Sequence, residues 1–144
     1  MAITSNAICN SFKKELLEAK HNFSNPGGNS FKLAMYTSAA VIGKSTTSFL
    51  TTGQVSSPSG YSSGGKALTN VGTSIATNTA ITDFADLSFT GVTLTARGAL
   101  IYNDTNEDRA VCVLDFGGDK TATAGTFTIQ FPAFTTSAAI LRIA

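Results

Sequence analysis

One segment of the chain has the residue spacing that could hold a phosphate group. Residues 60–67, GYSSGGKA, match the glycine and lysine positions of a nucleotide-binding loop, whose backbone N–H groups cradle phosphates. Such a loop also needs Ser or Thr after Lys66 to hold magnesium, between a strand and a helix. Ala67 stands there instead, a loop pattern precedes the segment, and a strand pattern follows from Leu68. The segment therefore predicts a flexible loop without nucleotide binding.

Carboxylates occur at spacings that could serve calcium or acid–base chemistry. Residues 104–108, DTNED, open like a calcium loop but lack its glycine and closing glutamate, so they predict a polar hairpin turn. Asp83 with Asp86, and Asp115 with Asp119, lie where strands meet turns. Either pair could supply the two carboxylates of acid–base chemistry, but each lies where a strand meets a turn and nothing in the sequence places the two pairs together. We therefore read these residues as structural.

His21 is the single histidine, so any Ser–His–Asp triad would have to use it. No nucleophile-elbow motif is present, and His21 falls at the end of a helical pattern, where a cation meets the negative end of the helix dipole. We predict that the protein is not an enzyme and has no catalytic residue, cofactor or metal ligand.

Five residues are candidates for contact with a partner: Phe12, Phe49, Tyr61, Lys66 and Arg97. Phe12 lies on the apolar stripe of a predicted helix, and Lys66 ends the glycine-rich segment. Phe49 and Tyr61 could be exposed aromatic rings that stack on a base or a sugar. Arg97 lies mid-strand and has two readings: an exposed cross-strand pair within the chain, or an ion pair between subunits.

The composition favours an assembled protein without nucleic acid or membrane partners. Only 13% of the 144 residues are charged, about half the usual share for soluble domains. A weakly charged surface favours burial in an assembly, and a net charge of +1 does not predict nucleic-acid binding. We find no pattern of a signal peptide or membrane span, and we expect folding in a cytoplasm. Cys9 and Cys112 are expected to be buried free thiols, although a disulfide between them stays open.

Residues 91–116 form the centre of the predicted fold. Two apolar, β-branched runs flank the polar residues 103–109, a pattern typical of a long β-hairpin. Each arm becomes apolar on both faces toward the turn, which predicts strands that pass from an exposed sheet into a covered region. We predict another turn, bracketed by residues 117–119 and 123–125.

The remaining elements are a helix, a long loop and several short strands. A helix is predicted over residues 5–21, capped by Ser5 or Asn6, packing on the sheet or on a neighbouring subunit. A strand over 31–36 precedes an extended Ser/Thr/Gly-rich loop over 37–66, which contains Pro58, could hold a weak strand at 51–55 and is our first choice for partner contact. Further strands are predicted over residues 67–75, 79–89, 126–131 and 139–143. We predict one mainly β domain over 1–144: an antiparallel sandwich, jelly-roll-like or immunoglobulin-like, with one N-terminal helix.

Several stretches resemble small virion proteins of tailed bacteriophages, common among phages of aquatic bacteria. They are FKLAMYTSAA (31–40), YSSGGKALT (61–69), TARGALIYND (95–104), AVCVLDFGGDK (110–120), and FTIQFPAF before the terminal AAILRIA. The resemblance implies a structural part of the particle, assembled in the host cytoplasm. It suits a capsid decoration (cement) protein that forms a homotrimer on the major capsid protein. Tail, collar or fibre-associated proteins, and carbohydrate- or receptor-binding modules, are the alternatives.

Overall fold

The computed structural model describes residues 3–56 and 60–144, which form two antiparallel β-sheets and one short helix. The elements are β1 (Ala7–Ile8), α1 (Asn10–Leu17), β2 (Phe31–Tyr36), β3 (Lys66–Ala67), β4 (Asn70–Ala76), β5 (Thr79–Phe84), β6 (Leu87–Asn103), β7 (Arg109–Ile129) and β8 (Leu141–Ile143). The large sheet has the order β1-β7-β6-β2-β3 and the small sheet has the order β4-β5-β8. The prediction of a mainly β, sandwich-like fold with antiparallel sheets and an N-terminal helix is confirmed.

The predicted hairpin is the pair β6–β7, in the middle of the large sheet. Asn103 pairs with Arg109 beside the turn, and Leu87 pairs with Ile129 at the far end. The half nearest the turn is buried on both faces, from Gly98 to Asn103 in β6. In the outer half of β6 buried and exposed residues largely alternate. This is the change from one covered face to two that the sequence predicts.

The turn predicted between residues 117–119 and 123–125 is wrong, because β7 continues through this segment as one strand. Gly117 and Ala124 adopt positive φ angles of 78° and 45°. The pairing with β6 shifts register in this half, for example between Ala96 and Gly98. Glycine-rich segments occur in β-bulges as well as in turns, because both need positive φ angles. The sequence pattern alone therefore does not distinguish a bulge from a turn.

Aromatic rings join the two sheets. Phe31 of β2 lies 5.8 Å from Phe84 of β5, measured between ring centroids. Phe23 stacks on Phe31 at 4.4 Å with the rings nearly parallel. Such contacts bury large apolar areas and tie the small sheet to the main core.

The helix is shorter than predicted, because it begins at Asn10 and the two-residue strand Ala7–Ile8 precedes it. Ala7 and Ile8 pair with β7 opposite Val113 and Cys112. The side chain of Asn6 accepts a hydrogen bond from a β7 amide (2.6 Å) rather than capping the helix. Backbone pairing with a buried strand satisfies these groups, so the predicted cap at Ser5 or Asn6 is wrong.

The helix also stops earlier than predicted. It ends at Leu17, Ala19 takes a φ of 57°, and His21 lies beyond the last turn. The predicted role of His21 at the helix terminus is therefore wrong.

The described part of loop 37–66 contains no helix or extended strand and packs against the core. Gln54 forms an isolated bridge with Tyr36, all that remains of the strand predicted at 51–55. Ala40, Ile42 and Val55 are buried. Pro58 lies outside the described residues.

The strands predicted over 67–75 and 79–89 are each divided between the two sheets. Lys66–Ala67 pairs with β2 in the large sheet, and Asn70–Ala76 starts the small one. Thr79–Phe84 stays in the small sheet, whereas Leu87 begins β6. Each predicted strand is divided by a short interruption, and the residue types at the interruption do not predict it.

The last two predicted strands are shortened. The one predicted over 126–131 is the end of β7, where Phe127 and Ile129 are buried as expected. The one predicted over 139–143 is β8, Leu141–Ile143, which pairs with β5 at an edge of the small sheet.

Candidate functional site

The glycine-rich segment serves packing rather than phosphate binding. A Cβ on Gly65 would lie 1.8 Å from the carbonyl oxygen of Leu33, so only glycine fits against β2 there. The Gly64 N–H donates to Gln54 Oε1 (2.7 Å), and the Tyr102 hydroxyl donates to the Gly64 carbonyl (2.6 Å). These backbone groups are occupied within the chain.

The acidic turn after β6 is held by the chain's own amides and cations. The Asn103 Oδ1 accepts N–H groups from Thr105 and Asn106, both at 3.1 Å. Asp104 pairs with Lys32 (3.4 Å), and Glu107 pairs with Arg109. Across residues 3–56 and 60–144, no three His, Cys, Asp or Glu side chains are grouped closely enough to hold a metal ion.

Of the carboxylates predicted to lie where strands meet turns, only Asp86 lies between strands, whereas Asp83 lies in β5 and Asp115 and Asp119 lie in β7. Asp83 is buried and accepts the N–H of Phe84 (2.8 Å), and burial raises the pKa of its carboxyl. Asp86 accepts the N–H of Phe131 (2.8 Å) and so fastens the end of β7 to the start of β6.

A buried polar cluster joins the helix to the hairpin turn, and we define it by Glu15, His21, Asn103 and Arg109. Glu15 Oε2 accepts a 2.7 Å hydrogen bond from Arg109, and its Oε1 lies 3.8 Å from His21 Nε2. His21 Nδ1 contacts the Asn103 amide nitrogen at 3.1 Å. Desolvation lowers the pKa of His21, against a smaller opposing effect of Glu15. The sequence analysis missed this cluster because its members are up to 94 residues apart.

Two of the candidate contact residues are buried in the core. Phe12 is 2% exposed and packs on His21 and Phe23. Tyr61 is 3% exposed, and its hydroxyl accepts the Met35 N–H at 2.9 Å. The predicted exposed ring at Tyr61 is therefore a core ring.

The other three candidates have neighbours within the chain. Phe49 is half-buried and stacks on Tyr102, with ring centroids 4.9 Å apart. Lys66 is exposed and donates to the Ser88 carbonyl (2.6 Å). Arg97 pairs with Asp115 across β6–β7 (3.1 Å), which is the intramolecular reading of this residue, and it lowers the pKa of that carboxyl. The structure does not bring the five candidates together into one site.

Cys9 and Cys112 are both free and buried, so the disulfide is not formed. Burial raises the pKa of the Cys9 thiol to about 11 and of the Cys112 thiol to about 12. Thiolate is the nucleophilic form, so neither cysteine is poised for chemistry.

The small sheet has an exposed surface without charged side chains. Residues 70–82 contain no charged side chain, and β4 is an edge strand in which only Gly72 is fully buried. Ile75 is 72% exposed and forms an apolar row with Ala80 and Ile143, which face it across β5 and β8. We call residues 70–84 the β4–β5 hairpin.

Among the described residues, a groove of about 660 Å³ lies along residues 41–48 of the loop predicted for partner contact. Two further open grooves flank the core. The helix–sheet groove, of about 440 Å³, lies between α1 and the small sheet. The β7 groove, of about 520 Å³, runs along the bent half of β7 and exposes parts of Phe116, Phe127 and Phe131 beside Lys120 and Gln130.

Comparison of the chain with family models, with curated proteins and with solved structures finds no match. Among the described residues, no helix has the length and apolar character needed to cross a membrane.

Proposed function

We propose that this protein is a non-enzymatic structural protein of a bacteriophage virion, and that it decorates the capsid as a cement protein. Two lines of argument support the proposal. The sequence resembles small phage virion proteins over most of its length, and the β4–β5 hairpin has a surface suited to an assembly. Its partners are then copies of itself, in a homotrimer, and the major capsid protein.

The observation that carries the proposal is the edge of β4. Proteins that stay monomeric usually protect an exposed edge strand with Lys, Pro, an inward charge or a β-bulge. β4, with the sequence NVGTSIA, shifts register between Asn70 and Thr73, but it has no Lys, Pro or charge and it exposes Val71 and Ile75. Pairing or packing against another chain would bury these groups, as expected for a subunit of a particle.

The test compares particles assembled with and without this chain. We expect particles lacking it to lose integrity at lower temperature or milder osmotic shock than complete particles. Particles of unchanged resistance would contradict the cement role. The number of copies of this chain per particle then gives its location. A decoration protein is present in proportion to the capsid subunits, whereas a tail, collar or fibre protein is present only in the few copies of one small ring.

A second candidate function is carbohydrate or receptor binding, and the β7 groove favours it. Partly exposed phenyl rings beside Lys120 and Gln130 combine a stacking surface with hydrogen-bonding groups. A glycan array with purified protein separates the two functions. A cement protein gives no signal on the array, whereas a binding module gives a signal that Phe131→Ala weakens.

A further inference from the structure

The helix–sheet groove has an apolar floor. Its floor consists of Phe12, Leu16, Phe23, Ile81 and Leu141. The Thr82 hydroxyl at its side is already used, because it donates to the Gly72 carbonyl (2.8 Å). The groove therefore offers a partner apolar contact without leaving that hydroxyl unpaired.

Three exposed aliphatic side chains line the same groove from three different elements. Leu17 at the end of α1 is 91% exposed, Ile143 of β8 is 61% exposed, and Ile8 of β1 is 39% exposed. Single exposed aliphatic residues are ordinary, but several that converge on one groove mark an interaction site.

Two cations also line the groove, Lys13 and Arg142. Within the described residues, neither has a carboxylate at ion-pair distance, whereas the adjacent Lys14 pairs with Glu18 (3.2 Å). Arg142 donates only to the carbonyl groups of Thr136 and Ser137. The groove thus combines apolar contact with uncompensated positive charge.

This charge argues against a second copy of the chain as the occupant. A two-fold contact through the groove would bring Lys13 and Arg142 of both copies together, and like charges across an interface are unfavourable. The chain's acidic turn, residues 104–108, carries no aliphatic side chain that could fill the floor.

From these observations we infer that the groove docks a segment of a different protein, in which aliphatic side chains lie next to a carboxylate. The aliphatic groups fill the floor beside Leu17 and Ile143, and the carboxylate pairs with Arg142 or Lys13. This inference deepens the proposed function and rests on it only for the partner's identity, a protein of the capsid or tail.

Selection of a random peptide library on the immobilised protein tests the docking chemistry without any particle. We expect the enriched peptides to combine aliphatic residues with Asp or Glu. In calorimetric titrations of one such peptide, Leu17→Asp and Ile143→Asp should each weaken binding by about tenfold or more, because each puts a charge on the apolar contact. Val41→Asp is the matched control: Val41 is 64% exposed and lies outside the groove, so binding should not change.

Charge reversal tests the ionic half of the inference. Arg142→Glu should weaken binding by roughly threefold to tenfold, the scale of a partly exposed pair that becomes repulsive. Replacing the peptide's carboxylate with Lys should restore binding to Arg142→Glu and not to the wild type. Circular dichroism melts show whether each variant remains folded.

Three outcomes would overturn the inference: no enrichment, enriched peptides without carboxylates, or binding that Leu17→Asp leaves intact. Sedimentation analysis adds a fourth, because self-association abolished by Leu17→Asp would assign the groove to a second copy. If virions do not contain this chain, the proposed function is refuted, but the result of the peptide experiment still holds.

Discussion

The two sheets of this protein bury their residues in opposite ways. In the large sheet, five of the six residues of β2 and the last six of β6 are buried. In the small sheet, β5 has four buried residues out of six, but the edge strands β4 and β8 have only one out of seven and one out of three. The central strands of the large sheet are therefore covered, whereas the edge strands of the small sheet leave apolar side chains in solvent. On the proposed function, the large sheet supplies stability and the edges of the small sheet supply contact.

Truncating a buried leucine should give the largest difference between the sheets. Leu100 of β6 is fully buried, and Leu100→Ala should lower the free energy of unfolding by about 4 kcal/mol, since it leaves a cavity. The matched change Ile75→Ala in the small sheet should cost less than about 0.5 kcal/mol, because that side chain is already in water. Urea unfolding measures both, and equal losses would refute the comparison.

The second-largest loss of stability is expected when the buried polar cluster is disrupted. Glu15→Gln removes the charge that faces Arg109 and His21, and it should cost roughly 2 kcal/mol, because one side of the pair retains contact with solvent. Glu18→Gln on the same helix is the control, since its pair with Lys14 is exposed and should be worth less than about 1 kcal/mol. Thermal unfolding of both variants measures the difference.

The same cluster should make stability depend on pH. Desolvation keeps the pKa of His21 below its ordinary 6.5 in the folded state, so the unfolded chain binds its proton first on acidification. The contribution of neutral His21 to the free energy of unfolding is complete above pH 6.5 and is lost as the pH falls below that value. Urea midpoints between about pH 7 and about pH 5 should decline in the wild type and decline less in His21→Gln. Parallel slopes would exclude His21 as the source.

The reactivity of the two buried cysteines measures how often the core around the large sheet opens to solvent. Cys9 and Cys112 are 0% and 4% exposed, so a thiol reagent should modify them only at the rate of unfolding. The control variant Val41→Cys places a thiol at an exposed site, which should react on mixing. Immediate reaction of either native thiol would show that the sheet opens locally.

The smallest effect on stability is expected at the β4 edge. Ile75→Lys should change the free energy of unfolding by less than about 0.5 kcal/mol, yet it should reduce concentration-dependent self-association, because an edge lysine opposes strand pairing. Sedimentation velocity at several concentrations measures the association. Unchanged association would move the proposed subunit contact away from β4.

Strong local patterns in the sequence predicted the fold class, the central hairpin and β2 well. The alternation of apolar residues in β2 and the runs of apolar residues in the inner hairpin admit one interpretation. The helix boundary failed because Asn6, a good capping residue, pairs with a neighbouring strand instead. Gly117 and Ala124 misled for a related reason, since a bulge and a turn use the same residues.

The interaction surfaces could not be predicted from sequence because they depend on which apolar residues remain uncovered. Ile75 and Ile81 both lie in predicted strands, yet one is 72% exposed and the other 6%. The cluster around Glu15 likewise joins residues distant in sequence. Tertiary arrangement decides both.

The short terminal strands have a mechanical consequence. β1 is held to β7 by two residue pairs, and β8 is held to β5 by three, whereas thirteen pairs join β6 to β7. A pull applied through either terminal segment would load these few hydrogen bonds first. The ends would therefore detach at low force while the β6–β7 pair stayed intact, so a chain pulled through its termini would yield at its ends before its core.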